Sequence, residues 1–157
     1  MQPIEELRYL ILAAQREGGR MLAEALRPLN LTAAQAEVLR VLQDHQPLSL
    51  VALGELLICE SGSPSRLVNG LVEAGLVARI PSPLNGRKVI LTLTPDGLAK
   101  AAQVHSLEDD VYRTLAEQFI DAPLPAIITV LRKFVEGRPA GDALARRIGR
   151  VQAHQEL

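Results

Sequence analysis

Apolar side chains recur at three- and four-residue intervals through most of this chain and give way to an alternating rhythm at one place, between residues 76 and 94. Over residues 3–27, Ile4, Leu7, Leu10, Ile11, Ala14, Met21, Leu22, Ala25 and Leu26 keep helical spacing, which predicts an amphipathic helix of about 25 residues. Pro28 breaks it. Thr32 is placed to cap a second helix, AAQAEVLRVLQDH, with Ala36, Leu39, Val41 and Leu42 facing inward and Pro47 ending it. Ser49 caps a short third helix that buries Leu50, Leu53, Leu56 and Leu57 and ends near Cys59. A fourth helix, with Leu67, Val68, Leu71 and Val72 on one face, runs to Ala74 and stops at Gly75, since glycine tolerates positive φ. Its start has two readings: behind Ser61, or with Ser63 as N-cap and Pro64 as the first helical residue.

After Gly75, LVARI and KVILTLT read as paired strands. Between them, Asn85-Gly86 suits a tight turn with positive φ, which puts Arg87 and Lys88 at or beside the hairpin tip. Thr94-Pro95-Asp96-Gly97 opens a long helix to about Ile120, combining a hydroxyl cap, a proline in the first turn and an early acid. Asp121-Ala122-Pro123 breaks it, and Leu124, Ile127, Ile128, Leu131, Phe134 and Val135 mark a further helix. Beyond Gly137-Arg138-Pro139, a last helix carries Leu144, Ile148 and Val151 on one side. The fold class is therefore mainly α (α+β): a winged helix-turn-helix with a two-stranded wing, flanked by N- and C-terminal dimerisation helices. Residues 1–30 form the N-terminal dimerisation helix, 31–97 the DNA-binding lobe and 98–157 the helices that complete the dimerisation lobe. The flanking helices carry more apolar surface than one small core uses, and two-fold pairing of the chain ends would bury it while presenting two recognition helices to successive major grooves.

Composition narrows the partners. With 157 residues, 48% hydrophobic and 22% charged, the chain is globular, and no apolar run approaches the length that spans a bilayer. Glu5, Glu6 and Arg8 interrupt any secretory signal, and one cysteine excludes an internal disulfide framework, so a cytoplasmic protein is expected. A net charge of -1 argues against a general polycation. Residues 61–92, however, set Arg66, Arg79, Arg87 and Lys88 against Glu73 alone, a local +3 that suits gripping a few phosphates. The aromatic residues Tyr9, Tyr112, Phe119 and Phe134 all lie outside this stretch. Single-strand binders and common RNA modules stack bases on rings, so double-stranded DNA is the better target.

The candidate DNA-binding set is Ser61, Ser63, Pro64, Ser65, Arg66 and Asn69 on the leading turn and outer face of the fourth helix, with Arg87 and Lys88 on the wing. Small and donor-rich side chains let a helix approach a polar surface, and a helix N-terminus favours phosphate. Arg66 has a second reading as an ion pair within its own lobe, and Arg79 reads as structural or peripheral. Cys59 precedes a helix N-terminus, where a thiolate is favoured, whereas its LLIC run suits a space-filling thiol. His45, His105 and His154 are isolated, and no zinc-ligand spacing, phosphate loop or nucleophile motif is present, so no metal, cofactor or enzymatic activity is implied.

LTAAQAEVLRVL at 31–42 and SRLVNGLVEAGLVARIPSPLNGRKVILTLTPDG at 65–97 closely resemble the MarR family of bacterial transcriptional regulators, and the likeness extends over roughly residues 4–136. The run from Gly75 through the wing to Gly97 is its most specific part. The resemblance implies a dimer made by both chain ends, a winged helix reading a pseudo-palindromic operator, repression, and release by a small, often aromatic effector held between the lobes. By position Arg87 matches the family's wing arginine, and Ser63, Ser65, Arg66 and Asn69 fall on its recognition helix. Asn85 stands where the family usually has aspartate, which replaces a charge pair with a neutral hydrogen bond. The segment after Gly137 runs past the family's usual end, where it enlarges the dimer interface or covers a pocket. Competing readings are a winged-helix module that docks a protein without binding DNA, a redox-responsive regulator using Cys59, and an enzyme.

Overall fold

Caps, prolines and glycines set the element boundaries. The computed structural model describes the backbone of residues 1–59, 63–86 and 88–155 and the side chains among them up to residue 149. Helix α1, Pro3–Leu26, has proline in its first turn, where the missing N–H would have no helical partner in any case. A single 3-10 turn, Arg27–Leu29, closes on Asn30 in the left-handed region at φ 55°, a conformation asparagine accepts more readily than most residues. Thr32 starts α2, Ala33–His45: its hydroxyl accepts from Gln35 N at 3.2 Å while Gln35 Oε1 accepts from Thr32 N at 2.9 Å, a reciprocal capping box.

Helix α3, Leu50–Gly54, is capped by Ser49, whose Oγ accepts from Ala52 N at 3.1 Å. It is shorter than the expected helix to Cys59. A turn in which Leu56 N donates to Leu53 O at 2.9 Å buries Leu56, and the chain then leaves helical geometry so that two later amides reach a buried carboxylate on α2. Helix α4, Pro64–Glu73, settles the start of the fourth helix on Ser63-Pro64 among the described residues, although the Ser63 hydroxyl makes no capping hydrogen bond. Its end is a Schellman motif, with Gly75 at φ 72°, Leu76 N donating to Leu71 O and Gly75 N to Val72 O, both at 2.9 Å.

Strand β1, Val77–Pro81, pairs antiparallel with β2, Val89–Leu93, in the register Val77↔Leu93, Arg79↔Leu91 and Pro81↔Val89. The tight positive-φ turn expected at Asn85-Gly86 is not what joins them. Neither residue takes a positive φ. The connection spans the longer run 82–88: Asn85 N donates to Ser82 O at 3.2 Å, Lys88 N to Asn85 O at 2.8 Å, and Ser82 N to Lys88 O at 2.7 Å. Residues 82–85 form a four-residue turn with Pro83 in its second position, the start of a wider connection than the two-residue loop of a shorter hairpin. Leu48 adds an unexpected rung, exchanging hydrogen bonds of 2.7 and 3.2 Å with Leu91. Gln46 Oε1 accepts from Leu93 N at 2.7 Å beside it.

Thr94 fastens α5, Pro95–Gln118, to the end of α4: its hydroxyl accepts from Gly97 N at 3.0 Å and donates to Gly75 O at 2.7 Å. A Cβ on Gly97 would lie 1.9 Å from Leu76 O, so the helix can start here only without a side chain at that position. Helices α6, Leu124–Val135, and α7, Pro139–Gln155, follow. The main core joins α2, α3, α4 and the sheet through fully buried Leu39, Leu42, Leu53, Leu56, Val68, Leu71 and Leu91. A smaller one, Leu26, Ala36 and Val104, lies where α1, α2 and α5 cross. No residue of α6 is buried: Leu124, Ile127, Ile128, Leu131 and Phe134 stay 40–48% exposed, and Ile4 and Leu10 of α1 are exposed as well.

Candidate nucleic-acid interface

Helix α4 has two unlike faces. Val68 and Leu71 are fully buried in the main core, and burying each such side chain contributes about 1.5–3 kcal/mol. That anchorage turns Ser63, Arg66 and Asn69 outward, all exposed, with Pro64 and Ser65 half-buried at the leading turn. Arg66 forms no ion pair with any described residue, so its in-lobe reading finds no partner there. The Pro64 ring lies 3.5 Å from where a Cβ on Gly54 would sit, which docks the first turn of α4 on the end of α3. Asn69 Oδ1 accepts a hydrogen bond from Arg79 Nη2. Arg79 thus has a structural role, tying β1 to the outer face of α4.

Lys88 is exposed at the wing, its backbone closing the loop with Ser82 and Asn85. Ser61 and Arg87 lie outside the described residues. The structure brings Ser63, Arg66 and Asn69 onto the exposed face of α4 with Ser65 half-buried at its edge, turns Pro64 the other way, against α3 on the side of Val68 and Leu71, and leaves Lys88 at the far end of the hairpin that follows.

Sequence reasoning missed Glu37. It is 9% exposed, within the core of α2. Its Oε1 accepts from Ile58 N and from Arg147 Nη1, and its Oε2 accepts from Cys59 N, each at 2.8 Å. One carboxylate therefore joins α2, the segment that leads toward α4, and α7. The available signal was an acid on the helical period of buried Ala34 and Val41, because an acid on an apolar face requires donors. Nearby, Arg40 Nε reaches Glu108 Oε2 at 3.1 Å, fastening α2 to α5. Burial pushes the Glu108 carboxyl up, and Arg40 acts against that shift.

Cys59 is exposed, yet its thiol is pushed up to about 11 by partial burial first and by the neighbouring Glu37 carboxylate second, with Arg147 opposing. A protonated thiol at neutral pH is the opposite of the activated thiolate a redox sensor needs. Among the described residues no group of three or more His, Cys, Asp or Glu side chains is placed to hold a metal, and no helix is long and apolar enough to cross a membrane.

A winged helix DNA-binding domain model matches residues 31–97. The multiple antibiotic resistance protein MarR of Escherichia coli (strain K12) is 31% identical over 125 residues, covering 79% of this chain and 87% of that protein. A solved Escherichia coli MarR mutant, with serine in place of a cysteine and complexed with operator DNA, superposes with a TM-score of 0.74 at 31% identity over 84% of this chain and 95% of that one. BpsR of Bordetella bronchiseptica, solved to explain regulation of its DNA binding by 6-hydroxynicotinic acid, superposes with a TM-score of 0.75 at 26% identity over 87% and 98%. With such identity spread along most of both chains, and a winged helix at its centre, this chain belongs to the MarR family of transcriptional regulators.

Proposed function

We infer that this regulator is a homodimeric repressor that reads a pseudo-palindromic operator through α4 and the wing, acts in the cytoplasm, and leaves DNA when a small aromatic effector binds. Binding, not turnover, is its chemistry. The observation that carries the reading is the outward face of α4, where Arg66 stands exposed with no described ion partner beside Ser63, Ser65 and Asn69. The solved relative bound to operator DNA supports the duplex as ligand. In this reading Arg66, Arg87 and Lys88 hold phosphates, Ser61, Ser63 and Pro64 bring the helix N-terminus to the backbone, and Ser65 and Asn69 face base edges.

The exposed apolar faces of α1 and α6 support pairing of the chain ends. A groove of about 510 Å³ between α6 and α7, lined by Val135, Leu144 and Ile148 together with Arg132 and Asp142, supports a small-molecule site, since such sites commonly run from about 300 to 1,000 Å³. Effector release then follows from differential affinity: the ligand lowers DNA affinity only by its preference for the dimer whose recognition helices no longer match the groove spacing.

The test is duplex binding across a salt series, using DNA enriched by the purified protein from genomic fragments. Arg66→Ala and Arg87→Ala are each expected to weaken specific and non-specific duplexes alike and to flatten the logarithmic salt slope by about one unit. Ser65→Ala is expected to alter sequence preference while leaving that slope alone. Unchanged slopes for both arginine variants, or a uniform loss for Ser65→Ala, would overturn these roles.

A further inference from the structure

The end of the chain reaches back to the segment that feeds α4. Consecutive arginines of α7 make the contacts: Arg147 Nη1 lies 2.8 Å from Glu37 Oε1, and Arg146 Nη1 lies 3.4 Å from Glu55 O at the end of α3. Glu37 also accepts from the Ile58 and Cys59 amides. Pro64 starts α4 five positions after Cys59 and rests against Gly54 of α3. α7 therefore touches the end of α3, on which the leading turn of α4 rests, and reaches the 58–59 segment through Glu37.

The chemistry makes Arg147 more than packing. Among the described residues Glu37 is the charged side chain found in the core. A carboxylate in that environment is held in place only while its charge is matched, and an arginine supplies a cation that stays charged at every relevant pH. With the guanidinium removed, the carboxylate gains more by turning toward water than by staying on two backbone amides, and the 58–59 segment loses its anchor.

We propose that Arg147 is a positioning residue for DNA recognition: paired with Glu37, it makes α7 a strut that sets the pose of α4 from the far end of the chain. The proposal rests on the reading of α4 as the DNA-reading helix. It also gives the segment beyond Gly137 a function distinct from dimerisation, because its contacts run to the DNA-binding lobe of the same chain.

The experiment uses full-length protein and a duplex enriched by the wild type from a random-sequence pool. Arg147→Ala is expected to weaken that duplex by about tenfold, to leave the salt slope as it was, and to speed amide hydrogen exchange at Ile58 and Cys59 by about tenfold. Arg147→Lys, which keeps the charge, should recover most of both losses. Glu37→Gln provides the second variant: its amide nitrogen faces a backbone donor in place of one oxygen, and it should show the same pairing of lost affinity with lost protection. Affinity within about twofold of wild type, unchanged protection at residues 58 and 59, or a slope flattened by about one as for a direct phosphate contact would each overturn the proposal. Ser65→Ala separates the two readings: it should change sequence preference with exchange at 58 and 59 intact. If it changes nothing on DNA, the α4 reading fails while the exchange measurements still report on the strut.

Discussion

Replacing Gly97 with alanine tests how α5 is joined to the winged helix. In an ordinary helix this substitution stabilises, because glycine gives up more backbone freedom on folding, and the gain is about 0.5–1 kcal/mol. Here the added carbon would sit 1.9 Å from Leu76 O and 2.9 Å from Leu76 C. Backbone atoms cannot turn aside as a side chain can, so α5 or the 76–77 segment must move. Overpacking of this kind costs about 1–3 kcal/mol. The same carbonyl accepts from Thr94 N at 3.1 Å, and loss of that bond adds about 1 kcal/mol. Against the propensity gain, the net is a loss of roughly 1–3 kcal/mol. For a chain of this length that lowers the melting temperature by roughly 3–10 °C. Gly70→Ala in α4 is the control, since nothing lies within 4 Å of its added carbon, and it should stabilise by about 0.5–1 kcal/mol. Thermal unfolding followed by circular dichroism measures both. If Gly97→Ala melted at or above the wild-type temperature, the close approach of α5 to Leu76 would be refuted.

Other outcomes follow from the same geometry. Because burial and then Glu37 raise the Cys59 thiol, alkylation should be slow near neutral pH and half-maximal near pH 11; Glu37→Gln should move the midpoint down without reaching the ordinary 9.0, and a wild-type midpoint below about 8.5 would contradict the environment described. The sign for stability is that a raised thiol favours the folded state below pH 9 and loses that contribution as pH climbs through about 11, so Cys59→Ser should make the alkaline decline shallower. Ile127→Asp with Leu131→Asp places charges on the exposed face of α6 and should weaken a dimer at least about a thousandfold with the chain still folded; an unchanged mass in sedimentation would exclude that interface. Arg79→Ala frees Asn69 and should blunt sequence discrimination at an unchanged salt slope, and a slope reduced by about one would make Arg79 a phosphate contact instead.

Local signals made most of the fold legible. Thr32, Ser49 and Thr94 each cap the helix their position announced, Gly75 ends α4 with positive φ, β2 falls within its expected run, and β1 runs one residue past its own, to Pro81. These features depend on a few adjacent residues, where side-chain chemistry and backbone conformation are tightly linked. What failed depended on distance or on counting. The Leu48–Leu91 rung joins residues far apart in sequence and leaves no periodic mark. In the wing, Asn85-Gly86 promised a two-residue turn, but the run from 82 to 88 offered room for a wider connection in which neither Asn85 nor Gly86 takes a positive φ.

The recognition surface was legible for a related reason: its apolar half, Val68 and Leu71, defines by subtraction the half that faces out. What orients that surface was not. Glu37 sits three residues after Ala34 and four before Val41, both buried, so its inward direction could be read, whereas its three donors come from residues 58, 59 and 147. Only folding brings them together. An acid at this position would be a liability in a core that lacked them, since a buried carboxylate without partners costs more than any packing it replaces. Its presence is therefore informative once the donors are known: the 58–59 segment is held by a polar clamp whose cation comes from the last helix, and on the proposed role of Arg147 that clamp adds to the core contacts of Val68 and Leu71 in setting the pose of α4.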